Sequence, residues 1–451
     1  MDALLTIIVV GAGKVGFEIA LRLSQEGHDI VVVDKDEGAL QEVAGRLDVM
    51  TISGNGASTA TLEQANVSRA QIVVAVTDID EVNMVACMAA KQYGVPTCVA
   101  RIRNPDYTTD HPRGLPLQSL GVDLIIDPER LAAQEICRLL DAPLASDLEY
   151  FADGQVVMMG LKIDAESQIA GRTLADCALP DCLIVAVDRG DKLEIPRGNT
   201  VVEAGNRVFV VGRTADFQEI RALLGTPAHE IRNVAIVGGS RIGQQLVDLI
   251  HPRKRTGVSL ALFEKNPVTA QELAKRFPHL LVIEGDATKI DILRDEGGAS
   301  FDALVAVTGE DHTNLLATML AKELGVSEVI SKISREDYAP LASRAGADAV
   351  VVPRLLTVSS VLRLVRKSEI VSMSLLKGGA ETLEFSVSAT CRMADHRLRE
   401  VSFPTRALVG AIFRAGDVII PNGASRVVSG DRVVVFAMSD AVDEVATFFQ
   451  G

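Results

Sequence analysis

The stretch Thr6-Ile7-Ile8-Val9-Val10-Gly11-Ala12-Gly13-Lys14-Val15-Gly16 decides the fold of this chain. Its short Val/Ile run favours a buried strand, and the residues after it match the pattern G-x-G-x-x-G. In that pattern the first glycine permits a tight turn and the second lets the backbone approach a pyrophosphate. The third lets the next helix pack closely on the sheet. Because a helix N-terminus offers N–H groups to phosphate, the stretch predicts a nucleotide-binding parallel-sheet domain.

An acidic residue at the end of the next apolar run indicates the ligand. Val31-Val32-Val33 leads into Asp34, which lies 18 positions after Gly16 (34 − 16). A carboxylate there can accept hydrogen bonds from both ribose hydroxyls of an adenosine and would repel a 2′-phosphate. We therefore expect Asp34, with the neighbouring Lys35, to favour NAD(H) over NADP. ATP and ADP are further candidates, and the alternative is that Asp34 only caps a turn.

Polar residues at further strand ends are expected to line the same crevice, because ligands of parallel sheets bind at the carboxyl ends of the strands. Asn55 is placed to face the adenine edge, and Thr77 and Asp78 to border the ribose or nicotinamide side. Arg101 is placed to neutralise phosphate. Each has a simpler alternative: Asn55 as a turn former, Asp78 as a helix N-cap and Arg101 as a solvated charge.

The second half of the chain repeats this pattern. Val234 to Val237 leads into Gly238-Gly239-Ser240-Arg241-Ile242-Gly243, a shift of 227 positions from the first pattern (238 − 11). Other repeated pairs are Val76-Thr77 with Val307-Thr308, a shift of 231 (308 − 77), and Ile195-Pro196 with Ile420-Pro421, a shift of 225 (420 − 195). The period is far longer than that of a solenoid repeat. These shifts predict the duplication of a whole unit.

The second crevice departs from the first at Ser240, where a side chain stands at the expected point of closest pyrophosphate approach. Glu264 takes the acidic position, 21 residues after Gly243 (264 − 243), and Arg241 corresponds to Lys14. Asp286, Thr308 and Lys332 correspond to Asn55, Thr77 and Arg101 at a common shift of 231. We expect these residues to line a degraded nucleotide crevice; the alternative is a vestigial fold kept for packing.

Alternating β-rich and amphipathic helical runs in residues 1–140 are typical of βαβ units and a parallel sheet. The expected strands are 6–10, 29–33, 49–52, 72–76, 97–102 and 124–126. From about Leu144 short alternating runs indicate a small lobe with an antiparallel β component, followed by a linker at Gly225-Thr226-Pro227. We predict an α/β chain of two Rossmann-like, doubly wound lobes, each followed by a small α+β lobe. The expected boundaries are 1–140, 141–227, 228–368 and 369–451.

Composition indicates a globular protein. A length of 451 residues suggests three or four domains, and 48% hydrophobic residues suffice for large cores. The longest apolar runs fall short of the about 20 residues that span a bilayer, and the N-terminus lacks the positive region of a signal peptide. A formal net charge of −15 makes nucleic acid and anionic lipid unfavourable partners.

The residues that usually carry metal or redox chemistry are scattered. Six cysteines occur without a C-x-x-C pair, which predicts buried free thiols. The seven histidines are dispersed, and His312 is interpreted as a surface residue at a helix start. Arg253-Lys254-Arg255 is interpreted as a solvated loop, with a docking contact as the alternative. We expect no metal site and no catalytic residue.

Together these motifs resemble two RCK units (regulator of potassium conductance) in tandem, as in the TrkA family of peripheral Trk-system proteins. In the large lobe the resemblance rests on the glycine pattern, Val33-Asp34, Ala75-Val76-Thr77-Asp78 with Glu81 and Asn83, and Ala100-Arg101. In the small lobe it rests on Ile195-Pro196 and Gly205-Asn206-Arg207-Val208. The resemblance covers the whole chain. It fails at Ser240, which stands at the position of the second glycine of the pattern.

The resemblance implies a regulator of potassium transport that binds NAD(H) or adenine nucleotides and is not an enzyme. It also implies a homotetramer whose eight large lobes form a ring under a Trk-type integral membrane potassium pore subunit. That ring would be cytoplasmic and peripheral, on the inner face of the cell (inner) membrane, without inserting into lipid. Two alternatives stay open: an RCK-type sensor of a different cation transporter, and an NAD-dependent oxidoreductase, for which the sequence offers no proton-relay residue.

Overall fold

The computed structural model describes residues 4–107, 117–141, 145–177, 179, 181–190, 192–224, 231–250, 257–296, 300–365, 370–376 and 379–450. Contacts divide the chain into two units, one formed by residues 1–131 and 354–368 and the other by residues 132–353 and 369–451. The four lobe boundaries expected from the sequence stay a prediction. The expected linker at 225–227 and the basic loop at 253–255 lie outside the described residues.

The first six strands form one parallel sheet in the order β3-β2-β1-β4-β5-β6. The strands are β1 (Thr6–Val10), β2 (Asp29–Asp34), β3 (Met50–Ser53), β4 (Ile72–Ala75), β5 (Thr97–Arg101) and β6 (Leu124–Ile126). The helices are α1 (Lys14–Gln25), α2 (Glu37–Arg46), α3 (Thr59–Gln64), α4 (Asp80–Gln92) and α5 (Pro128–Asp141). Each strand expected from the sequence is present within one residue at either end. Continuous Val/Ile runs form them because both faces of the sheet are covered.

The register of this sheet brings the ends of the central strands together. Val10, the last residue of β1, pairs with Val33 of β2 on one side and with Ala75 of β4 on the other. The residues after these strands therefore emerge at the same edge of the sheet. Helix α2 begins there as well, because the side chain of Asp36 accepts hydrogen bonds from two N–H groups of its first turn.

The next segment is an antiparallel small lobe. Its strands are β7 (Ala145–Phe151), β8 (Val156–Lys162), β9 (Arg172–Thr173), β10 (Cys182–Asp188), β11 (Leu193–Glu194), β12 (Val201–Val202) and β13 (Arg207–Arg213), followed by α6 (Phe217–Leu223). Five of them form a sheet in the order β11-β10-β13-β8-β7, while β9 and β12 pair with each other.

The second parallel sheet has the same strand order as the first, β16-β15-β14-β17-β18-β19. Its strands are β14 (Asn233–Val237), β15 (Ser259–Glu264), β16 (Leu281–Glu284), β17 (Ala303–Ala306), β18 (Glu328–Lys332) and β19 (Ala349–Val351). Its helices are α7 (Arg241–Ile250), α8 (Pro267–Arg276), α9 (Ile290–Asp295), α10 (Asp311–Glu323), α11 (Ala339–Arg344) and α12 (Pro353–Val365). The two halves that repeat in sequence therefore also share the topology of their parallel sheets.

A second antiparallel sheet follows in the order β20-β21-β24-β22-β23. Its strands are β20 (Ile370–Leu376), β21 (Ala380–Ser386), β22 (Ala407–Arg414), β23 (Asp417–Ile419) and β24 (Arg432–Met438), and α13 (Val442–Gln450) ends the lobe. The prediction of two Rossmann-like sheets, each followed by a small antiparallel lobe, is confirmed.

The two small lobes share one hydrophobic core. Phe209 of the first and Phe436 of the second have ring centroids 6.3 Å apart. A Cβ on Gly410 would lie 3.2 Å from a Val211 methyl, so the sheets approach closely at this glycine. The guanidinium of Arg213 also donates to the carbonyl of Val418 across the contact. The small lobes of one chain are therefore held together by buried apolar surface.

The cysteine side chains lie mostly in the interior, as the sequence interpretation expected. Five of the six cysteines are buried and Cys177 is half-buried. In the part of the chain that the structure describes, no group of three or more His, Cys, Asp or Glu side chains is placed to hold a metal ion. None of the described helices combines the length and the apolar character that crossing a membrane requires.

Candidate functional site

The first glycine loop joins β1 to α1 and leaves open space above its middle residue. Gly11 has φ +114°, and a Cβ there would lie 3.0 Å from the Thr77 amide nitrogen. A Cβ on Gly16 would lie 1.8 Å from the carbonyl oxygen of Gly11, which explains why α1 can approach the strand only with glycine at this place. A Cβ on Gly13 would meet no atom within 4 Å. Gly13 and Lys14 are exposed, whereas Val15 is half-buried.

Helix α1 begins without a side-chain cap among the described residues, because Gly13 is its N-cap residue. The N–H groups of the first turn of a helix have no partner within the helix and attract anions. The open space above Gly13 lies beside this helix end. The first loop therefore combines free donors with room for a ligand phosphate.

Asp34 fixes this loop as well as ending β2. Its Oδ2 accepts a hydrogen bond from the Ala12 N–H at 2.6 Å, and its Oδ1 accepts one from the Asp36 N–H at 2.9 Å. The half-buried carboxylate thus stands next to the glycine loop, while Lys35 is exposed. Each carboxylate oxygen can accept a second hydrogen bond, so the group can still receive hydroxyl donors.

A buried asparagine holds the other side of the crevice. Asn83 on α4 is fully buried; its Oδ1 accepts from the N–H and the hydroxyl of Thr77, and its Nδ2 donates to the carbonyls of Thr77 and Arg101. These bonds connect the ends of β4 and β5 to α4. Asn83 was not among the site residues expected from the sequence, although the same residue recurs as Asn314 at the common shift of 231 (314 − 83).

Arg101 is largely buried and faces an exposed carboxylate. Its Nη1 lies 3.0 Å from Asp78 Oδ1, and the Arg101 side chain is 14% exposed against 89% for Asp78. Arg103 donates to the carbonyl of Asp78 as well. The Nε of Arg101 is buried and makes no hydrogen bond within the described chain. Arg101 is therefore not a solvated charge, and Ile79 rather than Asp78 is the N-cap residue of α4.

Asn55 lies just after β3 and is exposed. Its Oδ1 accepts the Ala57 N–H at 3.0 Å, which makes it a turn former. Its side-chain NH2 group makes no hydrogen bond among the described contacts. The structure thus brings the glycine loop, Asp34, Thr77, Asp78 and Arg101 to one edge of the sheet, with Asn55 at the neighbouring strand.

The second glycine loop repeats the backbone conformation of the first. Gly238 has φ +107°, and a Cβ on Gly243 would lie 2.3 Å from the Gly238 carbonyl oxygen. Gly239 replaces Ala12, and a Cβ here would lie 2.4 Å from a methyl of Leu273. The Gly239 N–H donates to Glu264 Oε2 at 2.8 Å, as the Ala12 N–H does to Asp34.

Ser240 closes the place that Gly13 leaves open. Its Oγ donates to the Val307 carbonyl at 2.5 Å and lies 3.4 Å from the amide nitrogen of Gly243 in the first turn of α7. Arg241 is exposed and Ile242 is buried. The serine thus uses polar groups of the loop that a phosphate would otherwise approach.

The rest of the second crevice keeps the frame of the first with different charges. Asn314 makes the same bonds to Thr308 and to the Lys332 carbonyl. The Nζ of Lys332 lies 2.6 Å from Ser334 Oγ and 3.8 Å from an Asp311 carboxylate oxygen.

Asp286 and His312 are two titratable side chains of the second half whose positions the structure gives. Hydrogen bonds from the hydroxyl and then the N–H of Thr288 lower the pKa of Asp286. Asp286 is therefore a turn former, as Asn55 is in the first half. His312 lies in the first turn of α10, is exposed and has Glu310 Oε2 at 3.4 Å, as expected for a surface residue.

Comparisons with known proteins agree with this duplicated architecture. The model of the TrkA-N domain matches residues 7–128 and 234–353, and the model of the TrkA-C domain matches residues 158–225 and 382–450. The chain is 38% identical over 98% of its length to a protein called Trk system potassium uptake protein TrkA homolog 1 from Methanosarcina mazei, covering 99% of that protein. It is 32% identical over 98% of its length to the Trk system potassium uptake protein TrkA of Azorhizobium caulinodans, covering 98% of it.

Solved structures show the same fold. The RCK domain of GsuK aligns with a TM-score of 0.60 at 18% identity, covering 100% of this chain and 96% of that one. The GsuK channel bound to NAD aligns with a TM-score of 0.60 at 19% identity, covering 100% of this chain and 79% of that one.

Proposed function

The chain belongs to the TrkA family, a family of non-enzymatic regulatory subunits, and from this membership we propose that it senses adenine nucleotides for a potassium uptake system. The observation that carries the proposal is the uncapped N-terminus of α1 beside the open space at Gly13. Such a helix end is suited to a pyrophosphate. NAD(H) is the ligand that we propose, with ATP and ADP as further candidates.

Different residues of the first crevice would bind different parts of the ligand. The N–H groups of the glycine loop and of the first turn of α1 would hold the pyrophosphate, and Asp34 would accept the ribose hydroxyls. Asn55 would lie at the adenine edge through its free NH2 group. Thr77 and Arg101 would meet the distal part of the ligand, where a phosphate could replace Asp78 on the guanidinium. The bound nucleotide would add negative charge and contact surface to the crevice, and it would take part in no reaction.

We infer that the second crevice is the weaker nucleotide site. The Ser240 hydroxyl is bonded within the loop, so a phosphate would have to displace it. Residues Gly238 to Gly243, with Glu264, Asp286, Thr308 and Lys332, still form a crevice of the same topology. We propose that the second large lobe has mainly a structural role in the assembly. Each chain would then bind one nucleotide tightly, in the first crevice.

Control of ion flux requires two shapes of an assembly with different nucleotide affinities. We propose a homotetramer whose eight large lobes form a ring against a Trk-type pore subunit on the cytoplasmic face of the cell membrane. The shared core of the two small lobes would transmit a movement of one large lobe to the other. A tenfold difference in affinity at each first crevice would multiply over the ring to about 10⁴, enough to move an equilibrium from about 1:99 to about 99:1.

The test is a titration of nucleotide into vesicles that contain the pore subunit and this chain. We expect potassium flux to change with NAD(H), ATP or ADP, and the midpoint to move when Gly13 is replaced by serine. Replacing K⁺ by Na⁺ in the same vesicles decides between a potassium system and another cation transporter. Potassium flux indifferent to both the chain and nucleotide would contradict the proposal.

A further inference from the structure

An ion pair crosses the mouth of the second crevice. Lys265 follows β15 and Glu310 lies after β17, and the Nζ of Lys265 is 3.7 Å from Oε2 of Glu310. In the strand order of the sheet, β15 and β17 flank β14, whose end leads into the second glycine loop. The ion pair therefore passes across the loop at which a pyrophosphate would bind.

The carboxylate of Glu310 is held at this place by further groups. The Thr313 hydroxyl donates to the same oxygen at 3.0 Å, and Nε2 of His312 lies 3.4 Å from it. The hydrogen bond from Thr313, followed by the charges of Lys265 and His312, lowers the pKa of Glu310. The carboxylate is therefore ionised at neutral pH, and its partners are groups that a phosphate would also attract.

The position of Glu310 is occupied by Ile79 in the first lobe, at the shift of 231 (310 − 79). The two are the N-cap residues of α10 and α4, with φ −116° and ψ 119° for Glu310 and φ −115° and ψ 111° for Ile79. The carbonyl of each accepts a hydrogen bond from a threonine hydroxyl, that of Thr308 or of Thr77. The backbone is thus the same, and the difference between the lobes at this position lies in the side chain.

Ile79 leaves the mouth of the first crevice without such an ion pair. Its side chain is apolar and yet 45% exposed. Lys35 corresponds to Lys265 at the shift of 230 (265 − 35) and is exposed as well. Because isoleucine carries no charge, Ile79 cannot hold Lys35 across the loop, and this lysine stays available to a ligand phosphate.

We propose that this position decides whether a large lobe accepts the pyrophosphate of a nucleotide: Glu310 excludes it from the second crevice, and Ile79 admits it to the first. The inference rests on the nucleotide binding proposed above. Bringing a phosphate next to an ionised carboxylate is unfavourable, and Glu310 already engages Lys265 and His312. Ser240 acts within the loop and Glu310 across its mouth, so the two residues contribute separately.

Removal of the carboxylate should change binding without changing the fold. The side chains of Lys265 and Glu310 are 62% and 53% exposed, and exposed ion pairs contribute little to stability. Glu310→Ile would also release Lys265 and His312 to attract a phosphate. We expect the NAD affinity of the second crevice to rise about tenfold, the effect of one unit charge about 6 Å from a phosphate at an effective dielectric constant of about 40.

Calorimetric titration of NAD into the full chain tests this, with thermal unfolding as the measure of folding. Glu310→Ile and Ser240→Gly should each strengthen the second crevice, and their gains should multiply in the double variant, which should bind two nucleotides per chain. Glu310→Gln keeps the shape without the charge and should give most of the gain. Glu272→Gln is the control, because it removes an exposed carboxylate from α8 and should leave affinity and stoichiometry unchanged.

The reciprocal change transfers the acidic residue to the first crevice. Ile79→Glu should raise the Kd for NAD about tenfold, by the same electrostatic argument. Ile79→Gln has a side chain of similar length without charge and should bind NAD nearly as the wild-type chain does. An equal loss of affinity in both variants would show that Ile79 acts through apolar contact and would refute exclusion by charge.

The outcomes separate this inference from the proposed function. If the wild-type chain binds NAD in the first crevice but Glu310→Ile leaves the second unchanged, alone and with Ser240→Gly, then Glu310 does not exclude the ligand and the nucleotide proposal still stands. A wild-type chain that binds none of NAD, ATP and ADP would refute the proposed function, and this inference with it.

Discussion

Replacing Gly13 by serine separates nucleotide binding from folding in the first crevice. A Cβ at this place meets no atom within 4 Å, and the backbone angles of φ −66° and ψ −179° suit any residue. Serine is also a better N-cap residue than glycine by a few tenths of a kcal/mol, on the order of 0.3. The free energy of unfolding of the ligand-free chain should therefore stay the same or rise slightly.

The expected loss of affinity follows from what Ser240 does in the second loop. Its hydroxyl bonds the Val307 carbonyl and approaches the Gly243 N–H. At the position of Gly13 a hydroxyl would reach the corresponding Val76 carbonyl and the Gly16 N–H. A ligand phosphate then loses about one charge-assisted hydrogen bond, which corresponds to about 1.5–3 kcal/mol, or to a Kd raised about 10- to 150-fold.

The assay pairs calorimetric titration of NAD with thermal unfolding of the ligand-free chain. Ser240→Gly is the reciprocal variant and should strengthen binding at the second crevice. Gly45→Ser is the matched control, because Gly45 lies in α2 and a Cβ there also meets no atom within 4 Å. If Gly13→Ser leaves both Kd and stoichiometry unchanged, the pyrophosphate does not lie over this loop.

Three further predictions concern the same lobe. Asp34→Ala should weaken NAD binding by about 1.5–3 kcal/mol, because hydroxyl donors lose a charged acceptor, and the wild-type chain should bind NADP far more weakly than NAD; equal affinities in calorimetry would contradict this role. Gly16→Ala should destabilise the chain by about 1–3 kcal/mol in chemical denaturation, because its methyl would overlap the Gly11 carbonyl, whereas Gly45→Ala should stabilise it by about 0.5–1 kcal/mol. Purified protein with NADH should transfer no hydride to 2-oxo acids or aldehydes, and sustained substrate-dependent oxidation of NADH would overturn the regulatory interpretation.

The fold could be predicted from the sequence because its signals are local. The Val/Ile runs that precede Gly11 and Gly238 form central strands of their sheets, since only such runs tolerate burial on both faces. The two glycine patterns predicted the positions of the loops, and the shift of 231 identified Thr308 and Lys332 as the counterparts of Thr77 and Arg101. The ends of the strands in the first sheet differ from the expected ends by at most one residue, which is within the usual spread of element boundaries.

The interactions within the crevices were harder to predict because they join residues that are distant in sequence. Asn83 binds the backbone of Arg101, 18 positions away, through hydrogen bonds that no local motif encodes. Asp78 was interpreted as a border of the ligand or as a helix cap, yet it pairs with Arg101. The available signal for the asparagine was its recurrence as Asn314, which marks a position that both lobes need.

The two halves differ in a way that separates the requirements of the fold from those of the ligand. Both retain the positive-φ glycine, the glycine against which the helix packs, the acidic residue that receives the loop N–H, and the buried asparagine. They differ where a side chain would meet a phosphate, at Gly13 and Ser240 and at Arg101 and Lys332. A duplicated fold can keep its backbone frame while one copy loses its ligand, because the frame is held by backbone contacts and the ligand by a few exposed donors. The ligand signal of each chain would then originate in the first lobe, and the second lobe would complete the ring through which that signal acts.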